Sequence, residues 1–173
     1  ADTFGIKMAQ EAFSFQLKQL IDRMHFLDQQ IEALDCQILG YYKKFDCYLH
    51  TIPGIGMIGA ATILAEIGDT KRFKSSSALV AFAGIDPTVR QSGEFNSIHN
   101  HMSKRGSPYL RHAIFLAATT CSFHNSPLNA YYKKKRDQGK HHLTATGAVA
   151  RKLTTVIYAV LRDGKPYEPK KFC

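Results

Sequence analysis

Residues 13–45 read FSFQLKQLIDRMHFLDQQIEALDCQILGYYKKF. Phe13, Leu17, Leu20, Met24, Leu27, Ile31, Leu34, Ile38, Tyr41 and Phe45 stand in this stretch at alternating steps of four and three. That is the spacing of an a/d heptad seam. Gln, Asp, Glu, Lys and Arg fill the positions between. The stretch therefore predicts one long helix that begins an all-α or mainly α chain. Phe15, Ile21, Phe26 and Leu39 flank the seam and widen the apolar stripe beyond that of a strict two-stranded coil. Two readings follow: a dimerising or domain-spacing arm, or a long helix laid on its own domain.

Beyond the seam the pattern changes. Residues 1–46 are assigned to the coiled-coil-like helix, 47–168 to a compact helical domain and 169–173 to a frayed tail. The break near Asp46–Ile52 leads into Ile52-Pro53-Gly54-Ile55-Gly56 and then an Ala-rich apolar segment ending at Gly68. This arrangement resembles the second half of a helix-hairpin-helix, near residues 48–67. Gly54 and Gly56 permit a tight turn and close approach of a phosphate to the backbone. The following helix N-terminus offers N–H donors to an anion.

Capping signals place four more helices. Ser75–Ser77 can start a short helix through Ala83, with Gly84 as its stop. Ser107-Pro108 opens one through about Phe123, and Ser126-Pro127 opens another to about Asp137, stopped by Gly139. The last is expected from about Thr144 to Arg162, ended by Gly164 and Pro166. The only extended piece expected is Ile85–Arg90, paired near Phe95–His99.

The chain has 173 residues, a net charge of +9 and a pI of about 9.4. This basic balance suits an anionic partner, nucleic acid being the commonest. The four cysteines, Cys36, Cys47, Cys121 and Cys173, show neither a CxxC nor metal-ligand spacing. Cys36 and Cys121 fall within helical patterns, which fits reduced thiols and a cytoplasmic location. The longest apolar run, Ile55–Ile67, is too short to span a bilayer, so no membrane partner is expected. The start Ala1-Asp2-Thr3 has no initiator methionine, as expected for a piece of a longer protein.

The chemistry gathers between Arg90 and Arg111. This stretch is polar and rich in Ser, Gly, His and Arg, between two apolar helical segments. Ser92 stands in Arg90-Gln91-Ser92-Gly93. A serine hydroxyl attacks a phosphodiester when a base takes its proton and cations neutralise the phosphorane. Arg90, Lys104, Arg105 and Arg111 are the local cations, and Gly93 leaves room for the substrate backbone. Ser103 and Ser97 are rival nucleophiles, and a turn-stabilising serine is the plainer reading of each. His99, Asn100 and His101 lack carboxylates that would complete a metal set, although Glu94 is near, so no metal or cofactor is assigned to this chain. Lys133, Lys134, Lys135 and Arg136, beside Tyr131 and Tyr132, form a basic helix end. They can track a nucleic-acid backbone or simply face solvent.

Four segments in this order carry a resemblance: IPGIGMIGAATILAEIGD, RFKSSSALVAFAGIDPTVRQSG, MSKRGSPYLRHAIFLAA and VARKLTTVIYAVLRDGKPY. Together they resemble insertion-sequence transposases that join an N-terminal RuvC-like DEDD domain to a C-terminal serine domain. Relatives of that family include the pilin-gene DNA invertase, and some are guided by a bridge RNA. The resemblance covers about residues 48–168. It implies a C-terminal DNA-binding and strand-exchange domain in which Ser92 matches the nucleophilic serine. It also implies a homodimer through the heptad helix, DNA as partner with a guide RNA as a further candidate, and Mg²⁺ held by the RuvC-like domain absent from this chain. The sequence departs from the pattern at Glu94, where a basic residue is expected. The alternative reading is a non-catalytic helix-hairpin-helix module that binds nucleic acid. A third is a dimerising scaffold whose charge is incidental.

Overall fold

The computed structural model describes residues 7–88, 91–92, 95–96, 101–124 and 127–169. Of these, the side chains of 7–9, 91–92 and 95–96 are not described. The described residues form six α-helices and one two-stranded hairpin, so the chain is mainly α. The helices are α1 (Lys7–Tyr42), α2 (Met57–Ile67), α3 (Ser76–Ala83), α4 (Pro108–Phe123), α5 (Pro127–Asp137) and α6 (His142–Asp163). The strands are β1 (Gln91–Ser92) and β2 (Phe95–Asn96).

The chain divides into two units, residues 1–41 and 42–173. The first is α1, 36 residues long, or about 54 Å at the usual helical rise. From Phe13 to Tyr41 the seam side chains are exposed, Leu27 by 58% and Ile31 by 54%. Cys36, a free thiol within this helix, is exposed as well.

The second unit is built around α6. Val149, Leu153, Ile157 and Val160 are buried along it, and it packs against α3, α4 and α5. The shared core includes Ile63, Ile67, Leu79, Leu110, Ile114 and Cys121. Threonine hydroxyls inside α6 remain satisfied because Thr146 donates to the His142 carbonyl and Thr154 to that of Ala150. An unpaired hydroxyl there would cost about 1–3 kcal/mol.

The caps explain the boundaries. Ser75 accepts from the Ala78 N–H and Ser107 from the Leu110 N–H, satisfying donors that a helix start leaves free. Gly84 ends α3 at φ +66° and Gly164 ends α6 at φ +58°, a left-handed geometry that glycine adopts without Cβ strain. The start of α6 differs from the sequence expectation. It begins at His142 rather than Thr144, with the His141 ring accepting from the Leu143 N–H.

The extended segment also differs from expectation in register. Ser92 pairs with Phe95 and Gln91 with Asn96, while Pro87 bridges to Met102. The Thr88 N–H donates to the His101 carbonyl, the Ser103 N–H to that of Asp86 and the Lys104 N–H to that of Gly84. Residues 84–88 and 101–104 thus form an antiparallel stem, and β1 and β2 lie between its two sides in sequence. No described helix is long and apolar enough to cross a membrane.

Candidate nucleic-acid interface

The stem rises from the C-terminal end of α3. Here the chain packs backbone on backbone, which only glycine allows. A Cβ on Gly84 would lie 2.8 Å from the Gly106 nitrogen and 2.9 Å from that of Arg105. The Ser107 N–H donates to the Phe82 carbonyl, so the Lys104-Arg105-Gly106 loop is tied to the end of α3. Lys104 takes a left-handed φ of +53° without being glycine, a conformation costing about 1–2 kcal/mol that its surroundings must hold in place.

This framework sorts the basic residues. Arg111 directs its Nη1 to the carbonyls of Ala83 and Gly106, at 3.3 and 3.5 Å. It braces the end of α3, where unpaired carbonyls favour a cation. Lys104 and Arg105 are exposed and form no ion pair among the described residues. Ser103 is half-buried, and its hydroxyl donates to the Asp86 carboxylate, reinforcing the backbone rung between the same two residues. Ser107 both caps α4 and donates to Glu66 of α2 at 2.6 Å.

Ser92 and Gln91 belong to β1, the short hairpin strand that follows the stem. Arg90 and Gly93 lie outside the described residues, as do Glu94, Ser97, His99 and Asn100. His101 is exposed at the stem. The structure therefore brings Lys104 and Arg105 together with Arg111 of α4 around Gly84, with Ser103 on the adjoining stem.

Gly54 and Gly56 sit apart from that cluster. A Cβ on Gly54, which has φ +89°, would meet the Cys121 Sγ at 2.6 Å and the Ala117 oxygen at 3.0 Å. Its bare face is thus used for packing against α4. The Cys121 thiol also donates to the Pro53 carbonyl, and burial pushes its pKa up to about 11. Gly56 is exposed, has open space around it and precedes α2 without a side-chain cap. Its helix end keeps N–H donors for an anion. A one-turn 3₁₀ helix, Leu49–Thr51, precedes the hairpin in place of a first α-helix.

Lys133 and Lys134 are exposed on α5. Their neighbour Lys135 is half-buried, its Nζ donating to Gln138 at 3.2 Å and lying 5.4 Å from the centre of the Tyr131 ring, and Lys152 of α6 lies 4.9 Å from the same ring. Between α6 and the stem is a groove of about 530 Å³ lined by Ser77, Asp86, Pro87, Tyr131, Arg151 and Lys152, among others. A second of about 270 Å³ lies beside Ile85, His101 and Met102. Pro87 and Arg151 line both. The sequence reading passed over Arg151 and Lys152. Their signal is two adjacent cations in the middle of an otherwise apolar helix.

Among the described residues, no three His, Cys, Asp or Glu side chains come together to hold a metal ion.

Residues 46–133 match the family described as Transposase IS116/IS110/IS902. The uncharacterised 43.6 kDa protein of insertion element IS110 from Streptomyces coelicolor is 34% identical over 145 residues, covering 82% of this chain and 35% of that protein. The pilin gene-inverting protein of Moraxella bovis is 33% identical over 174 residues, covering 93% and 52%. The uncharacterised 42 kDa protein of insertion element IS900 from Mycobacterium paratuberculosis is 30% identical over 171 residues, covering 95% and 42%. The chain spans about a third to a half of the length of these curated relatives.

Proposed function

Because this chain belongs to the IS116/IS110/IS902 transposase family, we propose that it is the C-terminal DNA-binding and strand-exchange domain of a transposase or site-specific recombinase, with Ser92 as nucleophile. The Ser92 hydroxyl oxygen bonds to a DNA phosphorus while its proton passes to a base. The bond from phosphorus to one sugar oxygen breaks, and that oxygen gains a proton. The phosphoseryl link conserves the phosphodiester bond, so a later attack by a sugar hydroxyl reseals DNA and frees the serine. Arg90, Lys104 and Arg105 neutralise the charge that builds on phosphorus, and Gln91 and Gly93 shape the approach. Gly56 offers backbone donors to a neighbouring phosphate.

The observation that carries the choice of serine is the bond between Ser103 and Asp86. It ties the Ser103 hydroxyl to the stem, which supports Ser92 over that rival. The exposed seam of α1 supports a homodimer, because apolar side chains in heptad spacing gain by burial against a second helix. The magnesium expected for the family's RuvC-like domain would be bound by carboxylates outside this chain, and a guide RNA remains part of the proposal for the whole protein.

The test is covalent capture. The full-length parent protein, with Mg²⁺, its cognate DNA and any guide RNA, is digested, and a nucleotide is sought on serine by mass spectrometry. The expected adduct is on Ser92. An adduct on Ser103 moves the site, and DNA binding without any adduct favours the non-catalytic module.

A further inference from the structure

We infer that the groove between the ribbon stem and α6, lined by Arg151, seats a backbone phosphate of the DNA strand presented to the ribbon. The inference rests on the DNA-acting reading above. Arg151 is exposed and has no ion-pair partner among the described residues, so its planar fork is available for two phosphate oxygens. Lys152, which also lines the groove, is held near the Tyr131 ring. That restraint lowers the entropy lost when it meets an anion. Ser77, which also lines the groove, adds a neutral hydroxyl.

The single carboxylate on the groove is Asp86. It accepts a hydrogen bond from the Ser103 hydroxyl at the stem, and the two cations Arg151 and Lys152 outnumber it. A volume of about 530 Å³ exceeds what one phosphate needs and suits a passing strand. Arg151 and Pro87 also line the second groove, with Ile85, His101 and Met102 of the stem, so a backbone phosphate on Arg151 lies beside the base of the ribbon that carries Ser92. Contacts of this kind set register without reading sequence.

The experiment measures binding of this chain to a fluorescein-labelled 30-base-pair DNA duplex and to a 30-nucleotide RNA across a salt series. Arg151→Gln is expected to weaken DNA binding about five- to tenfold at low salt and to make the log K against log salt slope shallower by about one. Arg151→Lys is expected to keep that slope. Arg162→Gln, which removes a guanidinium already paired with Asp163, is expected to behave as wild type. If wild type shows salt-dependent DNA binding and Arg151→Gln matches it, the groove assignment fails and the DNA-acting reading stands. Loss confined to RNA also overturns the assignment. A wild-type chain without salt-dependent DNA binding sinks the DNA-acting reading and the groove together.

Discussion

Gly106 passes so close to Phe82 that a Cβ on it would stand 1.6 Å from the Phe82 carbonyl oxygen. No side chain fits there unless the Lys104–Ser107 loop lifts off the end of α3. Gly106→Ala is therefore expected to destabilise the fold by at least about 3 kcal/mol in urea unfolding. Gly147→Ala is the control. It lies inside α6, where an added Cβ meets only the Phe115 ring edge at 3.8 Å, and it should stabilise by about 0.5–1 kcal/mol. A loss below 1 kcal/mol for Gly106→Ala would show that the loop is not fixed to α3.

Ser107 performs two tasks with one oxygen, accepting from the Leu110 N–H and donating to Glu66. Ser107→Ala removes the cap of α4 and strips Glu66 of a bond that links α2 to α4. The expected cost is about 2 kcal/mol. Glu66→Gln keeps an acceptor oxygen and should cost less than 1 kcal/mol. Equal losses for the two substitutions would mean that charge on Glu66, rather than its hydrogen bond, matters.

How much of this was legible depends on how local each cause is. The seam of α1, the caps Ser75 and Ser107, and the stops Gly84 and Gly164 follow from spacing and from residue type at helix ends. The roles of Gly54 and Gly106 were not legible, since a glycine between helical segments suggests a turn or a ligand. Here α4 occupies the space beside Gly54, and the end of α3 occupies the space beside Gly106. Nor does sequence reveal that Ser103 meets Asp86, or that Lys135 is half-buried while Lys133 and Lys134 are exposed. These arrangements arise from packing between segments far apart in the chain. His141 as the cap of α6 was missed because its ring takes a place usually filled by a shorter side chain.

The seam of α1 makes a prediction about assembly. Leu27 and Ile31 are exposed in the single chain, and burial of each against a partner helix contributes about 1.5–3 kcal/mol. Wild type is expected to sediment as a dimer at micromolar concentration. The double variant Leu27→Lys, Ile31→Lys should sediment as a monomer, with the thermal transition of the compact unit retained. A wild-type monomer under these conditions would remove the dimer from the proposal.

Cys121 yields a prediction about pH. Burial raises its pKa from about 9 to about 11, because the interior disfavours the thiolate. The folded state therefore holds its proton more tightly than the unfolded chain. The associated stability is fully present below pH 9 and is lost as pH rises through 11. A two-unit shift corresponds to about 2–3 kcal/mol as an upper bound. Tyrosines and lysines also titrate in this range, so the informative quantity is the difference between wild type and Cys121→Ala. The variant should start less stable, having lost packing beside Gly54 and the bond to Pro53. It should then lose less stability than wild type between pH 9 and 11, so the two curves converge. Parallel curves would mean that the thiol ionises as easily in the folded protein as in the unfolded chain.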